Sequence, residues 1–363
     1  MKNYQIDPLQ YTYEEVITLF DKQYNKGEYH AKAFWNHLHR AGSTDVSQLK
    51  EFQQNATLAQ KIATDFPLTL PEASFVEEVD GNIKFRLNLG QNHFTESVVI
   101  AMKTYKSLCV SSQVGCARAC QFCATGQLGL KRNLLAQEIL AQYHYARFIL
   151  KQPIKNIVFM GMGEPMDNFD AVIRSIQIFA DQRGIRIPTK FITISTVGDV
   201  AGLYKLKNLM DADIEQESQR ASGITAPICY RSIKVAVSLH AANNTLRDEL
   251  MPTNRKWPLE SLKQVLQEMP IKRKDHDLFI EYTLIPNIND DAQALARYLE
   301  DLPCVVNLIA YNPVPNLTFQ RPSEEQIIQF KKELENHGIV VRYRRSRADD
   351  ILGACGQLGS TSV

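Results

Sequence analysis

The chain has 363 residues, which at about 150 residues per domain predicts two or three domains. Hydrophobic residues make up 44% and charged residues 22%, so a full core can form, and a collagen-like rod, a disulfide-stapled miniprotein and a disordered tail are excluded. With 41 Lys and Arg against 40 Asp and Glu, the net charge is only +1, so a nucleic-acid partner would have to be held by a local basic face.

Residues 1–70 read as a helical domain. Tyr13–Phe20 and Ala31–Leu38 place apolar residues at three- and four-residue intervals, and Gly27 and Gly42 punctuate them. Pro67 and Pro71 mark a boundary. In residues 71–102, the segments Phe75–Val79, Ile83–Leu89 and Glu96–Met102 predict short strands, with Asp80-Gly81 as a hairpin turn, and hence a small antiparallel β extension. From 103 to 345 strands alternate with helices. The strands are Ser107–Ser111, Asn156–Met160, Phe191–Ser195, Lys234–Leu239, Leu278–Leu284, Val305–Ala310 and Ile339–Arg342. The helices are Leu134–Leu150, Phe169–Asp181, Leu259–Glu268, Ala292–Leu299 and Ser323–Asn336. Such alternation implies right-handed crossovers and a parallel sheet, an α/β fold of partial (β/α)6 barrel type with its active site past the carboxyl ends of the strands. Glu215–Ala226 reads as an exposed polar insertion, and 346–363 as a C-terminal loop. No apolar run predicts a membrane span, and Met1–Pro8 lacks the apolar core of a secretion signal. The expectation is a cytoplasmic, monomeric protein.

Seven cysteines are an odd number, and three fall within Gly115-Cys116-Ala117-Arg118-Ala119-Cys120-Gln121-Phe122-Cys123. In a reducing compartment such thiols serve metal or redox chemistry. Three thiolates on one loop can grip one side of an iron–sulfur cubane and leave one iron for another ligand. A fourth distant thiolate or Zn²⁺ stays open, although no second cysteine or histidine pair completes a zinc site. Further polar groups fall at predicted strand ends: Gly161, Gly163 and Glu164 in Met160-Gly161-Met162-Gly163-Glu164-Pro165, Ser195, the Ser238-Leu239-His240 run, and Asn312. One ligand spanning the barrel mouth would use them all. Cys109 and Cys355 lie apart from the cluster. Cys355, between glycines, reads either as a small turn residue or as a nucleophilic thiolate paired with Cys109, with Arg342, Arg344, Arg345 and Arg347 supplying positive charge.

The C-x3-C-x2-C spacing resembles that of radical S-adenosylmethionine (SAM) enzymes. Ser111-Ser112-Gln113-Val114-Gly115-Cys116, Cys123-Ala124-Thr125-Gly126, Met160–Pro165, Ser238-Leu239-His240-Ala241, Met251-Pro252-Thr253-Asn254 and Ala354-Cys355-Gly356-Gln357-Leu358 together resemble the RlmN/Cfr family of radical SAM RNA methyltransferases. The similarity extends to Gly27–Arg40, which is similar to that family's helix-hairpin-helix-like region.

The resemblance implies a [4Fe–4S] cluster on Cys116, Cys120 and Cys123, and S-adenosyl-L-methionine held by Gly163, Glu164, Ser195, Ser238, Leu239, His240 and Asn312. It implies methylation of Cys355, hydrogen removal from that methyl group, addition of the carbon to adenine, and release through a disulfide between Cys109 and Cys355. Glu96 would accept the substrate's proton. The implied product is adenosine methylated at C2 in 23S rRNA, with tRNA as a second substrate and an electron donor such as flavodoxin. Pro165 favours C2 over the C8 branch, where Ala is frequent. Val197, Ala348 and Gly353 depart from the usual pattern. A C8 methyltransferase and a non-catalytic Fe–S RNA-binding protein are the alternatives.

Overall fold

The computed structural model describes residues 7–219, 228–271 and 277–360. Three helices open the chain: α1 (Tyr13–Tyr24), α2 (Glu28–Ala41) and α3 (Ala56–Asp65). A capping box starts α1, in which the Glu15 N–H donates to the Thr12 hydroxyl and the Thr12 N–H to the Glu15 carboxylate. The α3 start is fixed by Asn55, whose side chain accepts the Leu58 N–H. Phe20, Phe34 and Phe66 meet between these helices, with ring centroids 5.3 and 5.2 Å apart for Phe20–Phe34 and Phe34–Phe66.

The helices share one continuous apolar core with the rest of the chain. Polar ties fasten the joint: Trp35 Nε1 donates to Asp181 at 3.3 Å, and Arg174 Nε donates to the Gln10 carbonyl at 2.7 Å. His39 Nδ1 and His144 Nε2, both buried, lie 3.2 Å apart across it.

Strands β1 (Ala73–Val79), β2 (Asn82–Asn88) and β3 (Phe94–Ala101) form the expected antiparallel meander. Asp80 and Gly81, at φ 51° and 73°, make the tight turn between the first two. The meander is no separate sheet, because β3 pairs antiparallel with β4 (Lys106–Cys109). A short ladder of β5 (Gln113–Val114) and β6 (Arg132–Asn133) brackets the cysteine loop and its one-turn helix α4 (Ala124–Gln127). The main sheet then runs in parallel and in chain order from β4 through β7 (Ile154–Phe159), β8 (Ile192–Thr196), β9 (Lys234–Ser238), β10 (Leu278–Leu284) and β11 (Val305–Ala310) to β12 (Val341–Arg344). Every residue of β10 and β11 is buried, as in a strand covered on both faces. The wall stays open, since β4 continues into β3 and, among the described residues, has no pairing to β12.

The crossovers are α5 (Ala136–His144), continued by a wider π turn over Tyr145–Ile149, α6 (Phe169–Ala180), α7 (Val200–Gln219), α8 (Asn244–Leu250), α9 (Leu259–Glu268), α10 (Ala292–Leu299) and α11 (Glu324–Asn336). Neither α7 nor α8 was anticipated. Helix α7 absorbs the start of the segment read as an insertion, and 220–226 lie outside the described residues. No helix among the described residues is long and apolar enough to cross a membrane.

Candidate active site

The cysteine loop follows β5, and its entry requires glycine. Gly115 has φ 74°, and a Cβ there would lie 1.9 Å from the Gly129 carbonyl oxygen. Within the loop the Arg118 guanidinium is tied to Asp167 at 2.9 Å, Asp199 at 2.7 Å and Thr253 Oγ1 at 3.1 Å, which fixes the backbone between Cys116 and Cys120. Burial pushes the Cys116 thiol up to about 12, Cys120 far up and Cys123 up. Each thiolate formed on Cys116 or Cys120 is also repelled by charge on its neighbours. Three such thiols ionise together only if positive charge joins them, which is what a metal cluster supplies. Among the described residues no three His, Cys, Asp or Glu side chains converge on a single ion. A cubane, which takes one thiolate per iron, does not need them to. The donor set fits that group.

The loop faces a cavity that is partly open to solvent, with about 1020 Å³ of atom-free space when that open part is included. All three cysteines line it, and so do Gly163, Glu164, Ser195, Ser238, His240 and Cys355. Gly163 is at φ 100°, and a Cβ there would meet Gln113 Cβ at 2.5 Å. What crowds this glycine is the chain itself. Glu164 is buried, and its carboxylate accepts the Met166 N–H at 3.0 Å and the Val197 N–H at 2.8 Å. Burial pushes its carboxyl up to about 7, against the pull of those N–H groups and of Arg118. A buried carboxylate in a cavity wall suits an ammonium ligand, whose charge would restore its ionised form.

Burial, reinforced by the Arg247 charge, pulls His240 down to about 3, so its imidazole is neutral. Its Nδ1 accepts the Thr283 N–H at 2.9 Å, which leaves the proton on Nε2. Arg247 is buried, and burial lowers it to about 10. It donates to the carbonyls of Val197, Ser238 and Leu239, tying the ends of β8 and β9 together.

Other expected residues sit elsewhere. The Leu239 side chain packs into the main core. Asn312 does not line the cavity; its Nδ2 donates to the Cys355 carbonyl at 3.2 Å and so holds the tail. Cys109 lies behind the cavity wall among Val98, Met162, Ile351 and Leu358. Its thiol is pushed up to about 12 by burial and then by the nearby charge of Cys355. Both sulfurs are free thiols. Cys355 lines the cavity and is exposed, yet protein surrounds it closely enough for burial to raise its thiol, with Arg344 pulling it back down.

Glu96 is fully buried and lies outside the cavity. Its carboxylate meets Lys84 at 3.2 Å and Arg86 Nε at 2.9 Å, and accepts the Gly359 N–H at 2.9 Å. The tail is thus pinned to β3. Two cavity residues escaped notice in the sequence, Glu281 and Thr283, both on buried β10. A single acid inside the apolar run Leu278-Phe279-Ile280-Glu281-Tyr282 was the available signal for Glu281. Arg118 and Arg247 were missed too, because an arginine half-buried on a loop or buried on a helix reads like a surface one.

Residues 110–216 match the Radical SAM superfamily. A radical SAM methyltransferase from Sphaerobacter thermophilus is 33% identical, with 98% of this chain and 100% of that one covered and a TM-score of 0.82. A domain of the pyruvate-formate lyase-activating enzyme from Bacteroides vulgatus is 18% identical over 52% of this chain and 98% of that one, with a TM-score of 0.37. Archaeal TYW1 is 15% identical over 64% of this chain and 72% of that one, with a TM-score of 0.40. With the cysteine loop, the parallel sheet and the full-length likeness in agreement, this chain belongs to the radical SAM methyltransferases.

Proposed function

We propose that this protein methylates C2 of adenosine in RNA, in 23S rRNA and also in tRNA, with Cys355 carrying the methyl group. The observation behind this reading is the exposed Cys355 thiol, which shares one cavity with the cluster cysteines while a second thiol, Cys109, lies close enough to feel its charge. Direct methyl displacement from SAM onto a substrate needs neither thiol. A carbon that is not nucleophilic, as adenine C2 is not, needs a different route.

The family implies a [4Fe–4S] cluster and SAM. Cys116, Cys120 and Cys123 would hold the first, and Glu164 would take the ammonium of the second. When bound, the pair supplies a methyl group for displacement and, after one-electron reduction by a flavodoxin-like donor, a hydrogen-abstracting radical.

The chain's own groups do the rest. The Cys355 sulfur accepts the methyl group and presents its carbon to the base, with Asn312 steadying the backbone. Cys109, as its thiolate, then attacks that sulfur; the S–S bond forms as the S–C bond breaks, and the freed carbon keeps the electron pair and takes a proton to become the product's methyl group. Glu96 serves as proton acceptor only when the Gly359 bond opens, since its oxygens face Lys84, Arg86 and that N–H. Exposed Arg342 and Arg345 offer phosphate contacts.

The test is anaerobic reconstitution with SAM, reductant and 23S rRNA or tRNA fragments, followed by mass spectrometry of nuclease digests. We expect 2-methyladenosine, lost in Cys355→Ala. Finding 8-methyladenosine alone would move the protein to the C8 branch, and no methylated adenosine from cluster-loaded protein would overturn the reading.

A further inference from the structure

Methylation of Cys355 leaves one proton without a destination. The sulfur lone pair forms the S–CH3 bond, the sulfonium donor departs as a neutral thioether, and the S–H bond breaks. Some group must take that proton. Because burial raises this thiol, the starting form at neutral pH is the protonated one.

The charges that reach Cys355 are those of Arg344 on β12, Glu281 on β10, Cys109 on β4 and Cys123 on the cysteine loop; Glu164, also in the cavity wall, is held by two backbone N–H groups, and His240 Nδ1 is taken by the Thr283 N–H. Arg344 has only donors. Cys123 is a cluster ligand, and Cys109 is a buried protonated thiol. Glu281 is left. It lines the same cavity as Cys355 and is itself buried. Its Oε1 accepts Asn307 Nδ2 at 2.7 Å, while Arg344 Nη1 stands 3.3 and 3.4 Å from Oε1 and Oε2. Oε2, whose one contact is the long one to Arg344, therefore keeps lone-pair capacity. A carboxylate on a fully buried central strand is costly, and neither the cluster nor the binding of an ammonium accounts for this one.

We infer that Glu281 is the base that takes the Cys355 proton as the sulfur acquires its methyl group, with Arg344 and Asn307 holding the carboxylate in position. The step rests on the reading of Cys355 as methyl carrier. It balances with no further reactant: S–H and the donor's C–S⁺ bond break, S–CH3 and O–H form, and the proton passes to solvent through the cavity's open part.

Two measurements on Glu281→Gln test it. In cluster-free protein without SAM, alkylation of Cys355 by iodoacetamide is followed across pH by mass spectrometry. Loss of a facing negative charge should lower the midpoint by about 1 pH unit. In reconstituted protein with SAM and no reductant, formation of S-methylcysteine at position 355 should slow about 100-fold, with partial recovery in Glu281→Asp. Cluster absorbance and thermal unfolding confirm that each variant is folded and loaded. A carboxylate acting by charge alone would give the opposite second result, because more thiolate would be present. Unchanged or faster methylation in Glu281→Gln overturns the proposal, and so does an unmoved alkylation midpoint. If the unsubstituted protein forms no S-methylcysteine, the functional reading itself fails, while the alkylation profile still reports whether Glu281 faces the thiol.

Discussion

Glu164 shows how one side chain is tuned by its surroundings. Two backbone N–H groups hold its carboxylate, yet burial raises it to about 7. A bound ammonium would relieve that cost, so the residue is worth more to a cationic ligand than to the fold. Glu164→Gln keeps the shape but sets an NH2 against one of the two donors and removes the charge. A charge-assisted hydrogen bond contributes about 1.5–3 kcal/mol, so SAM affinity should drop about 10- to 100-fold. Equilibrium dialysis of reconstituted protein measures it, and affinity within twofold of the unsubstituted protein would remove Glu164 from the binding site.

At the scale of elements, the tail and the β2–β3 hairpin are joined by charge. Lys84 donates to the Leu352 carbonyl at 3.1 Å and pairs with Glu96, which accepts the Gly359 N–H. Glu96→Ala would leave a buried ammonium without its carboxylate. The expected loss is about 3 kcal/mol in urea unfolding, with faster amide exchange at Gly359; exchange unaltered there would show that the tail is held by other contacts.

The parallel strands were readable because runs such as Val305–Ala310 are apolar at every position but one, Asn307, and are bounded by turn residues. The cysteine loop was readable because its spacing is rare. Helix α7 was not, since its apolar stripe of Val200, Leu203, Leu206 and Met210 covers only its first half and is interleaved with Gly202 and lysines. The displacement of Asn312 and Glu96 from the cavity was equally hidden. Both contact the tail, through Cys355 and Gly359, and a contact spanning 43 or 263 residues leaves no local pattern.

Across the whole molecule, the joint between the N-terminal helices and the barrel wall carries a pH signature. Burial lowers His144 to about 3 and takes His39 well below its ordinary value, with the His144 charge adding to the latter. His39 Nε2 and His144 Nδ1 find no hydrogen-bond partner among the described residues. An unfolded histidine binds its proton near pH 6.5. Between about pH 6.5 and 3 the unfolded chain therefore takes up protons that the folded one refuses, and stability falls as pH falls. Above that window the pair contributes no slope. From pH 7.5 to 5.5 about 3 kcal/mol should be lost from these two rings, visible in urea titrations and reduced in His144→Gln. An equal loss in that variant would place the acid sensitivity elsewhere.

The two pins on the tail set a leash length. Cys355 is three residues beyond Leu352 and four before Gly359, and an extended chain covers about 3.5 Å per residue. While both ends stay fastened, the Cys355 Cα can swing no more than about 10 Å from its first anchor, and the sulfur only a side-chain length further. On the proposed RNA substrate, the target nucleotide must therefore make the journey alone, turning out of its helix and down into the pocket, and a duplex too stiff to let go of its base should pass this protein untouched.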